Sequence, residues 1–583
     1  MIDRRAGSVA LILALSRIAV LAGHTLAWTR WSPVAYLWQD AAVLLAFAAV
    51  DRGLGRTPRL AWIVYAAFGL YIAATLPAAL VMSTPMTWPM WRAAGGTIGD
   101  SIWRYATPEN LAWLVVLVVA GAVAPILAPF VSLSSAWRHA VVVLTIGVVA
   151  LGPTAITRVD THGLDRNAWS ALAIGLFPRV PAQAAVTDWR VPPVAYAAGA
   201  PDRGHASDLS RLRGAAAGRN VVLVSLESTA AQYVGVYGAR PDATPNLTAL
   251  ARAALVFDRA YAVYPESIKG LQSVLCSTYP TFDRRVETSA TAPCRSIASV
   301  LSARGYHTAL FHSGRFGYLG MDRVIRDRGF DLLADAGEIG GNRESSFGVD
   351  DAATAAHLLG WIDSLPRGEP FFVTYLPIAG HHPYDAPEPG PFPDPDDLGR
   401  YRNALHYGDA VLGSLVRGLD VRGHGRDTLW LVIGDHGEAF GQHDGNFGHT
   451  FQLFEENVHV PFIVAVPGLT ASETRLSDLV SLIDTAPTLL DLLGIDAPQT
   501  YQGQSALDAG PRMALFFADY SLGLLGLRDG SSKYIYEIES ARSRLFDLER
   551  DPGELHDIAE HYPDRTAWYR ERLLAWIAAQ TRQ

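Results

Sequence analysis

The chain has 583 residues, of which 50% are hydrophobic, and its formal net charge is -9. Its mean hydropathy of +0.14 is high for a soluble protein, and the apolar excess lies in residues 1–160. No stripe of Lys and Arg with interleaved aromatic residues occurs, so nucleic acid is not an expected partner. The length allows more than one domain.

Five apolar runs in the N-terminal part are long enough to cross a bilayer, which takes about 20 residues each. They cover residues 9–28, 34–50, 60–82, 111–131 and 140–156. Arg4 and Arg5 precede the first run, as they would in a signal peptide, but four further runs predict a retained anchor. We therefore predict an α-helical membrane domain of five spans over residues 1–157.

Basic residues beside these runs predict the orientation, because loops rich in Lys and Arg stay on the cytoplasmic side. With five spans the flanking basic residues all fall on one side: Arg4, Arg5, Arg52, Arg56, Arg59, Arg138 and His139. This predicts a multi-pass protein of the inner (cytoplasmic) membrane. Its C-terminal region would face the periplasm or another extracytoplasmic space.

Three polar residues lie inside the first two runs, where charge is costly. Arg17 and His24 are in the first run, and Asp40 is in the second. One interpretation is a structural pair between helices, for which His24 and Asp40 are the candidates. The other is contact with a lipid headgroup.

Residues 158–217 are predicted to connect the membrane domain to the rest of the chain. The segment 167–177 is partly amphipathic and suits a helix at a membrane surface. The segment 191–217 is rich in Pro, Ala and Gly, which is typical of a linker. Residues 218–583 would then form one large domain, with a C-terminal subdomain over about 510–583.

From residue 220 onward, apolar strand-like runs alternate with helical patterns. The strand candidates are 221–226, 307–311, 371–376, 429–433 and 461–466, and helical patterns include 352–365 and 403–419. This alternation predicts an α/β domain with a mostly parallel central sheet covered on both faces. The segment 514–548 predicts a small antiparallel unit, and 565–580 a closing helix.

Acidic and imidazole groups follow two of these strands. The run 429–433 leads into Gly434-Asp435-His436-Gly437-Glu438, and Glu227 follows the strand 221–226. Ligands usually bind at the carboxyl edge of such a sheet. Carboxylate and imidazole groups brought together there predict a site for a divalent cation.

Ser267 is the candidate nucleophile. The apolar pattern after it predicts a helix running toward Cys276, so Ser267 would lie at a helix N-terminus, which favours anions. A serine hydroxyl is a poor nucleophile until it loses its proton or binds a metal. A cation held by Glu227, Asp435 and His436 could activate it and polarise a substrate oxygen.

Several histidines follow strands or the Asp-His pair and are candidates for binding the transferred group or for proton transfer. They are His312, His381, His382, His443 and His449. Singly, each has a structural alternative: a histidine is often a core or surface residue, and a serine before a helix is often an N-cap. Their recurrence after successive strands favours one shared site.

Taken together, four groups of residues resemble the sulfatase family of the alkaline phosphatase superfamily. They are 220–227; 267–280; 434–438 with 447–449 and 460–462; and 528–534 with 545–548 and 551–554. The resemblance implies one divalent metal ion, Mn²⁺, Mg²⁺, Zn²⁺ or Ca²⁺, held by Glu227, Ser267, Asp435 and His436. It also implies catalytic roles for Ser267, His381 and His449, and substrate binding by His312, His382, Lys269 and His443.

The departures from the family pattern bear on the subfamily. Sulfatases carry Cys or Ser followed by x-Pro-x-Arg and oxidise that residue to formylglycine, whereas Ser267 is followed by Ile-Lys-Gly-Leu. Membrane spans before an outward domain are similar to lipoteichoic acid synthases and to phosphoglycerol and phosphoethanolamine transferases. This resemblance implies transfer of a phospho-group from a membrane phospholipid to a glycan or lipid acceptor through a covalent Ser267 intermediate.

Two alternatives to this transferase stay open. One is a membrane-anchored hydrolase of sulfate or phosphate esters, favoured by the sulfatase-like segment 551–554. The other is a non-catalytic, lipid-binding regulator. Cys276 and Cys294 both fall in the outward domain, where they form either a disulfide or two buried thiols.

Overall fold

The computed structural model describes residues 4–26, 28–93, 107–128, 134–177, 179, 189, 207–283, 294–341 and 347–580. The helices of the N-terminal part are α1 (Arg4–Leu21), α2 (Ser32–Gly53), α3 (Pro58–Met82), α4 (Trp88–Ala93), α5 (Pro108–Leu127), α6 (Ser135–Ile156) and α7 (Ala168–Ile174).

Local sequence signals set where several of these helices begin. Thr107 accepts a hydrogen bond from the backbone N–H of Asn110 and precedes a proline at the first position of α5. Ser134 caps α6 in the same way. Side-chain oxygens at this position satisfy backbone N–H groups that have no partner inside the helix.

Four helices are long and apolar enough to cross a membrane by length and composition: α2 with the turn after it (Ser32–Arg56), α3, α5 and α6. The first predicted run forms α1, which has 18 residues and carries Arg4, Arg5 and Arg17. The predicted total of five spans is therefore not confirmed. The end of the fourth predicted run, residues 129–131, lies outside the described residues.

Two of the three arginines of α1 are paired inside the helix bundle. Arg17 forms an ion pair with Asp40 of α2, with Nε 2.6 Å from Oδ2, and Arg5 lies 2.6 Å from Asp51. His24 instead lies 3.1 Å from Asp444 of the C-terminal domain. The predicted His24–Asp40 pair is thus wrong, because the guanidinium of Arg17 occupies Asp40.

The predicted surface segment 167–177 contains the short helix α7, which packs on α3. The Trp169 ring stacks on Phe68 with centroids 5.0 Å apart and lies 4.5 Å from Tyr71. Most of the predicted linker, residues 191–206, lies outside the described residues.

The large C-terminal domain contains an eight-stranded sheet. Its strands are β1 (Asn220–Leu226), β2 (Leu255–Tyr261), β3 (His307–His312), β4 (Leu332–Ala334), β5 (Phe371–Leu376), β6 (Thr428–Gly434), β9 (Phe462–Ala465) and β10 (Thr474–Ser481), in the order β10-β2-β9-β6-β1-β5-β3-β4. The hairpin β7 (Ala439–Phe440) and β8 (Phe447–Gly448) lies in the loop after β6.

The central sheet is mostly parallel, as predicted, and β9 is the exception. It runs antiparallel to both β6 and β2. Strands β1, β5 and β6 are buried along almost their whole length, which is why their sequences are continuously apolar.

Helices cover both faces of this sheet. They are α8 (Pro245–Ala251), α9 (Ser267–Cys276), α10 (Ile297–Ser302), α11 (Met321–Ile325), α12 (Ala336–Ile339), α13 (Asp351–Ser364), α14 (Asp397–Val421), α15 (Glu455–Val458) and α16 (Thr485–Leu492). The predicted small unit is a four-stranded antiparallel sheet of β11 (Met513–Ala518), β12 (Leu524–Asp529), β13 (Ser532–Glu537) and β14 (Arg542–Asp547), followed by α17 (Pro563–Gln580).

The C-terminal domain contacts the same end of the membrane bundle at several points. Thr84, just after α3, lies 2.5 Å from the Ser521 hydroxyl, and Arg542 donates to the carbonyl of Ile156 at the end of α6. Arg544 binds Asp160 through two hydrogen bonds of 2.7 and 2.9 Å. These contacts follow the C-terminal ends of α3 and α6, so the domain sits opposite the basic helix starts.

Candidate active site

Two neighbouring strands deliver the acidic groups of the site. In the parallel pair β1–β6, Leu226 is in register with Gly434, so Glu227 and Asp435 leave the sheet side by side. The backbone N–H of Ser228 donates to Asp435 Oδ1 at 2.9 Å. Gly434 permits this approach, because a Cβ there would lie 2.3 Å from the carbonyl oxygen of Thr229.

Ser267 is the first residue of α9, as the sequence predicts. Its hydroxyl donates to Glu227 Oε2 at 2.8 Å and lies 3.2 Å from His436 Nε2. The carboxylate of the preceding residue, Glu266, caps the helix by accepting from the N–H groups of Ile268 and Lys269. The Ser267 hydroxyl therefore lies at a capped helix start, close to two predicted metal ligands.

The group formed by Glu227, Asp435 and His436 fits a cation. Their ligand atoms all lie within 4.8 Å of one another, and all three side chains are buried. Burial raises the pKa of Asp435 to about 8, and the charge of Glu227 adds to that shift. Two buried carboxylates repel each other, and a divalent cation between them removes that repulsion.

Glu227 and His436 shift each other's pKa values. Burial opposes ionisation of Glu227, but the hydrogen bond and charge of His436 outweigh it and lower the pKa of that carboxyl. Burial alone would lower the pKa of His436, yet Asp435 and Glu227 raise it to about 10. Without metal the site holds protons that a cation would displace.

Four imidazoles of the site share one orientation. In each, Nδ1 bonds an oxygen that can only accept, so Nδ1 carries the hydrogen and Nε2 is the remaining ring nitrogen. The acceptors are the carbonyl of Leu376 for His312 (3.1 Å), that of His382 for His381 (2.6 Å), that of Gly437 for His436 (3.0 Å) and the carboxylate of Glu438 for His449 (2.6 Å). Such partners fix ring orientation and tautomer.

Three of these imidazoles, His312, His381 and His449, line one cavity together with Ser267 and Glu227. The cavity has a volume of about 540 Å³, within the range of about 300–1,000 Å³ common for ligand pockets. Burial lowers the pKa of both His312 and His381, so these two rings are neutral at pH 7. The residues predicted after different strands thus meet at one site.

Three other predicted substrate-binding residues have different surroundings. Lys269 places its ammonium 2.6 Å from Asp519, and His443 lies 2.7 Å from Glu456 and stacks on a phenylalanine ring. His382 packs edge-on against Tyr384. None of the three is among the described residues that line the cavity. Each instead contacts another side chain of the protein.

Glu266 and Glu438 are functional candidates that the sequence analysis did not assign. Glu438 is buried; its Oε2 accepts from His449, and its Oε1 accepts from the Tyr384 hydroxyl at 2.5 Å. Its ligand atom also lies within 4.8 Å of those of His436 and His449. Glu438 belongs to the same sequence motif as Asp435 and His436, and its place in that motif could have predicted a role in the site.

Cys276 and Cys294 form a disulfide, which decides between the two alternatives left open by the sequence. Cys276 is the last residue of α9. The bond therefore ties the far end of the Ser267 helix to the segment before α10.

Comparisons with known proteins agree with this fold. The sulfatase family model matches residues 219–495. The lipoteichoic acid synthase-like protein YvgJ of Bacillus subtilis strain 168 is 26% identical over 320 residues, which are 51% of each chain. Arylsulfatase K of Bos taurus is 30% identical over 188 residues, 29% of this chain and 34% of that protein. The chain thus spans about half of the length of the first of these relatives and about a third of the second.

Among solved structures, an alkaline phosphatase superfamily protein from Vibrio parahaemolyticus shares the fold. Its TM-score is 0.52 at 22% identity, and the match covers 65% of this chain and 88% of that one. Residues 219–495 thus form a domain that matches the sulfatase family model and shares the fold of that protein.

Proposed function

We propose that this chain is a metal-dependent membrane enzyme that forms a covalent intermediate on Ser267. It takes a phospho-group, of the phosphoglycerol or phosphoethanolamine type, from a phospholipid. It passes that group to a glycan or lipid acceptor of the cell envelope. The catalytic domain faces the extracytoplasmic side, and α1 is the fifth membrane span.

The position of the Ser267 hydroxyl carries this proposal. It lies at a helix N-terminus, 2.8 Å from Glu227 and 3.2 Å from His436, and it lines the cavity in which a substrate would bind. A nucleophile, a set of metal ligands and a binding cavity at one point are the parts that covalent group transfer requires.

An unmodified serine is favoured over formylglycine by the residues that replace the sulfatase motif. Leu271 stands where that motif has Arg, and its side chain is buried in the core of the sheet domain. Lys269 stands at the motif's Pro position and is paired with Asp519. Neither residue resembles the group it replaces.

The charge of the cavity suits an ester that carries a single negative charge. Among the described residues that line it there is no Lys or Arg, and its acidic and imidazole side chains are two glutamates and three histidines. Phosphodiesters and sulfate monoesters are both monoanions, whereas a phosphate monoester approaches two charges near neutral pH. The cavity therefore favours the first two.

Glu227, Ser267, Asp435 and His436 would hold the divalent ion. When bound, it would supply positive charge that favours the ionised serine and the developing charge on phosphoryl oxygens. The metal could be Mn²⁺, Mg²⁺, Zn²⁺ or Ca²⁺.

In the first step the Ser267 Oγ–P bond forms and the bond from phosphorus to the diacylglycerol oxygen breaks. The hydroxyl proton leaves toward Glu227, and the imidazolium form of His449, held at Nδ1 by Glu438, donates its Nε2 proton to the departing oxygen. In the second step neutral His381 accepts the proton of an acceptor hydroxyl, and the acceptor oxygen forms a bond to phosphorus as the Ser267 Oγ–P bond breaks. Ser267 regains its proton from Glu227, and the proton on His381 passes through solvent to His449. Positioning and electrostatics dominate in phosphoryl transfer of this kind.

Hydrolysis is the second candidate function, since water can replace the acceptor in the second step. The family match and the arylsulfatase relative support it. The sulfatase-like segment 551–554 does not, because Glu554 has a structural role: it is buried, 2.9 Å from Lys533, and accepts from the backbone N–H of Glu455.

Turnover of paired soluble substrates tests the proposal. We expect purified protein with Mn²⁺ to cleave an aryl phosphodiester faster than the matching aryl sulfate. Ser267→Ala should abolish this activity. Ser273→Ala is the control, because it makes the same change in α9 at a buried hydroxyl without a hydrogen-bond partner in the described part of the chain. A preference for the sulfate would favour the sulfatase, and full activity of Ser267→Ala would contradict both candidates.

A further inference from the structure

The cavity at Ser267 is built jointly by the C-terminal domain and the membrane helices. One wall contains Ser267, Glu227 and the histidines described above. The opposite wall comes from α3, α5, α4 and the turn between α3 and α4: Ala74, Thr75, Pro77, Ala78, Val81, Met82, Met86, Met90, Trp91, Asn110 and Leu111. The Ser267 hydroxyl thus lies in a cavity, here called the chamber, about half of whose lining residues belong to the membrane domain.

Polarity is segregated within this chamber. The wall from the membrane helices is apolar apart from Thr75 and Asn110, and Leu319 and Phe451 extend the apolar surface on the C-terminal domain. The metal-ligand candidates and the imidazoles lie together near Ser267. This arrangement matches an amphiphile, with its charged ester at one end and its hydrocarbon at the other.

The rim of the chamber contains apolar side chains that the protein itself leaves exposed. Trp91 is 39% exposed and Leu111 48% exposed, and Ala74 is exposed on the same side of α3 as other lining residues. Ala74 and Leu111 belong to helices that are long and apolar enough to cross a membrane. Exposed apolar residues at this level of a spanning helix face lipid.

We infer that the chamber holds the acyl chains of the lipid donor, which enters sideways from the leaflet next to the catalytic domain, past the exposed rim at Ala74, Trp91 and Leu111. This inference rests on the proposed function of the same site. The acyl chains pack against Ala74, Ala78 and Leu111, and the phosphodiester reaches Ser267. The donor reacts without leaving the bilayer, and α3 selects substrates by their hydrocarbon part.

A photoreactive lipid tests where the acyl chains lie without requiring turnover. Full-length protein in nanodiscs would be irradiated with a phosphatidylethanolamine that carries a diazirine in one acyl chain, and the labelled peptides would be identified by mass spectrometry. We expect labels concentrated in residues 74–82 and at Leu319 and Phe451. Labels spread evenly over the outer surfaces of α3 and α6 would overturn the inference. It would also be overturned if a second probe, a photoreactive lipid-linked glycan, labelled the chamber and the phosphatidylethanolamine did not.

Blocking variants provide a second test. Ala74→Trp and Ala78→Trp place a large side chain in the chamber, and Ala67→Trp makes the same change at an exposed residue of α3 away from it. We expect the ratio of kcat/KM for a long-chain phospholipid to that for a soluble aryl phosphodiester to fall at least tenfold in the first two. An unchanged ratio in both would contradict the acyl site.

The two tests separate failure of the acyl site from failure of the proposed function. If the wild type cleaves neither substrate and Ser267 stays unmodified, the proposed function fails. The labelling pattern still decides whether lipid occupies the chamber. If the wild type is active but the ratio and the labels do not distinguish the chamber, the acyl site alone is wrong.

Discussion

His449 depends on a buried carboxylate for its orientation. Glu438 accepts a hydrogen bond from Nδ1 of His449 at 2.6 Å and is itself bound by the Tyr384 hydroxyl. Burial would raise the pKa of Glu438, but the charge and hydrogen bond of His449 outweigh it and lower that pKa. Glu438 is thus an anion that fixes the proton on Nδ1 of His449 and leaves Nε2 toward the cavity.

We expect Glu438→Gln to lower kcat about 10–100-fold, the usual effect of removing such an orienting partner. The amide can turn its NH₂ toward Nδ1, which favours the other tautomer of His449. Tyr384→Phe removes a more distant hydrogen bond and should have a smaller effect. The measurement is kcat against pH for the aryl phosphodiester. An unaltered pH profile in Glu438→Gln would show that Glu438 has only a structural role.

Metal affinity should increase with pH. The metal-binding form needs an ionised Asp435, whose pKa is about 8, and a neutral His436, whose pKa is about 10. Below these values protons compete with the cation, so the Kd for Mn²⁺ should fall about tenfold or more per pH unit between pH 6 and 8. Titration calorimetry in buffers of different ionisation enthalpy measures the protons released. A Kd that is constant over this range would contradict the assigned ligands.

The sequence predicts these residues unequally well. The proximity of Glu227, Asp435 and His436 was predictable, because Glu227 and the Asp435-His436 pair each come directly after a continuously apolar run of strand length. Roles for His382, His443 and Lys269 were harder to assign, since loop geometry and partners such as Asp519 and Glu456 decide which way these side chains point. The Glu438–His449 bond depends on the hairpin after β6, whose short strands leave no periodic pattern.

At the scale of elements, α9 begins with the proposed nucleophile, Ser267, directly after the residue that caps the helix. The Glu266 carboxylate accepts from two backbone N–H groups at the start of this helix, and burial raises its pKa. The disulfide holds the other end of the same helix. Ser267 is therefore positioned by restraints at both ends of a ten-residue helix.

Glu266→Ala should lower the free energy of unfolding by about 0.5–2 kcal/mol, the usual cost of losing an N-cap. It should also lower kcat, because Ser267 is the adjacent residue. Ser296→Ala is the matched control: Ser296 caps α10 and should cost similar stability without an equal loss of kcat. Urea unfolding followed by tryptophan fluorescence, with parallel kinetics, gives both quantities. Equal losses of kcat in the two variants would indicate general destabilisation instead.

Strand prediction succeeded where a strand is apolar along its whole length and failed where charged residues interrupt it. The runs in β1, β3, β5 and β6 are apolar and were predicted to within a residue or two. By contrast, β2 contains Asp258 and Arg259, and β10 contains Arg475 and Asp478, so neither has a continuous apolar run. The antiparallel direction of β9 is set by its pairing with β6 and β2. The residues of β9 do not specify that pairing.

At the scale of the whole molecule, hydrogen bonds and ion pairs join the catalytic domain to the membrane bundle. Burial would raise the pKa of Asp160, but the charge and hydrogen bonds of Arg544 outweigh it and lower that pKa. Thr84, Arg542 and His24 make further contacts across the same boundary. This docking is what places Ser267 beside α3.

Asp160→Asn should lower stability by about 1.5–3 kcal/mol, the range for a hydrogen bond to a charged group. It should also reduce turnover of phospholipid more than turnover of a soluble diester, because only the lipid needs the membrane wall of the cavity. Asp363→Asn removes a comparable two-bonded Arg422 pair on the outer surface and is the control. Thermal unfolding in detergent and the two turnover rates are the measurements. Equal effects of the two variants on lipid turnover would argue against a functional docking contact.

Membrane anchoring was predictable from hydropathy, but the exact span count was not. The helices α2, α3, α5 and α6 meet the criteria of length and apolar composition. The arginines of α1 obscure that signal, and their partners Asp51 and Asp40 lie on another helix. The shared cavity could not be predicted either, since it exists only where two separately folded parts meet.

The covalent intermediate on Ser267 is the central claim, and peptide mass spectrometry tests it most directly. Purified protein would be incubated with Mn²⁺ and mixed phospholipids beside Ser267→Ala. We predict a phosphoethanolamine- or phosphoglycerol-sized adduct on the peptide containing Ser267 and none in the variant. Formylglycine at this position, with no adduct from any donor, would contradict the account and identify a sulfatase.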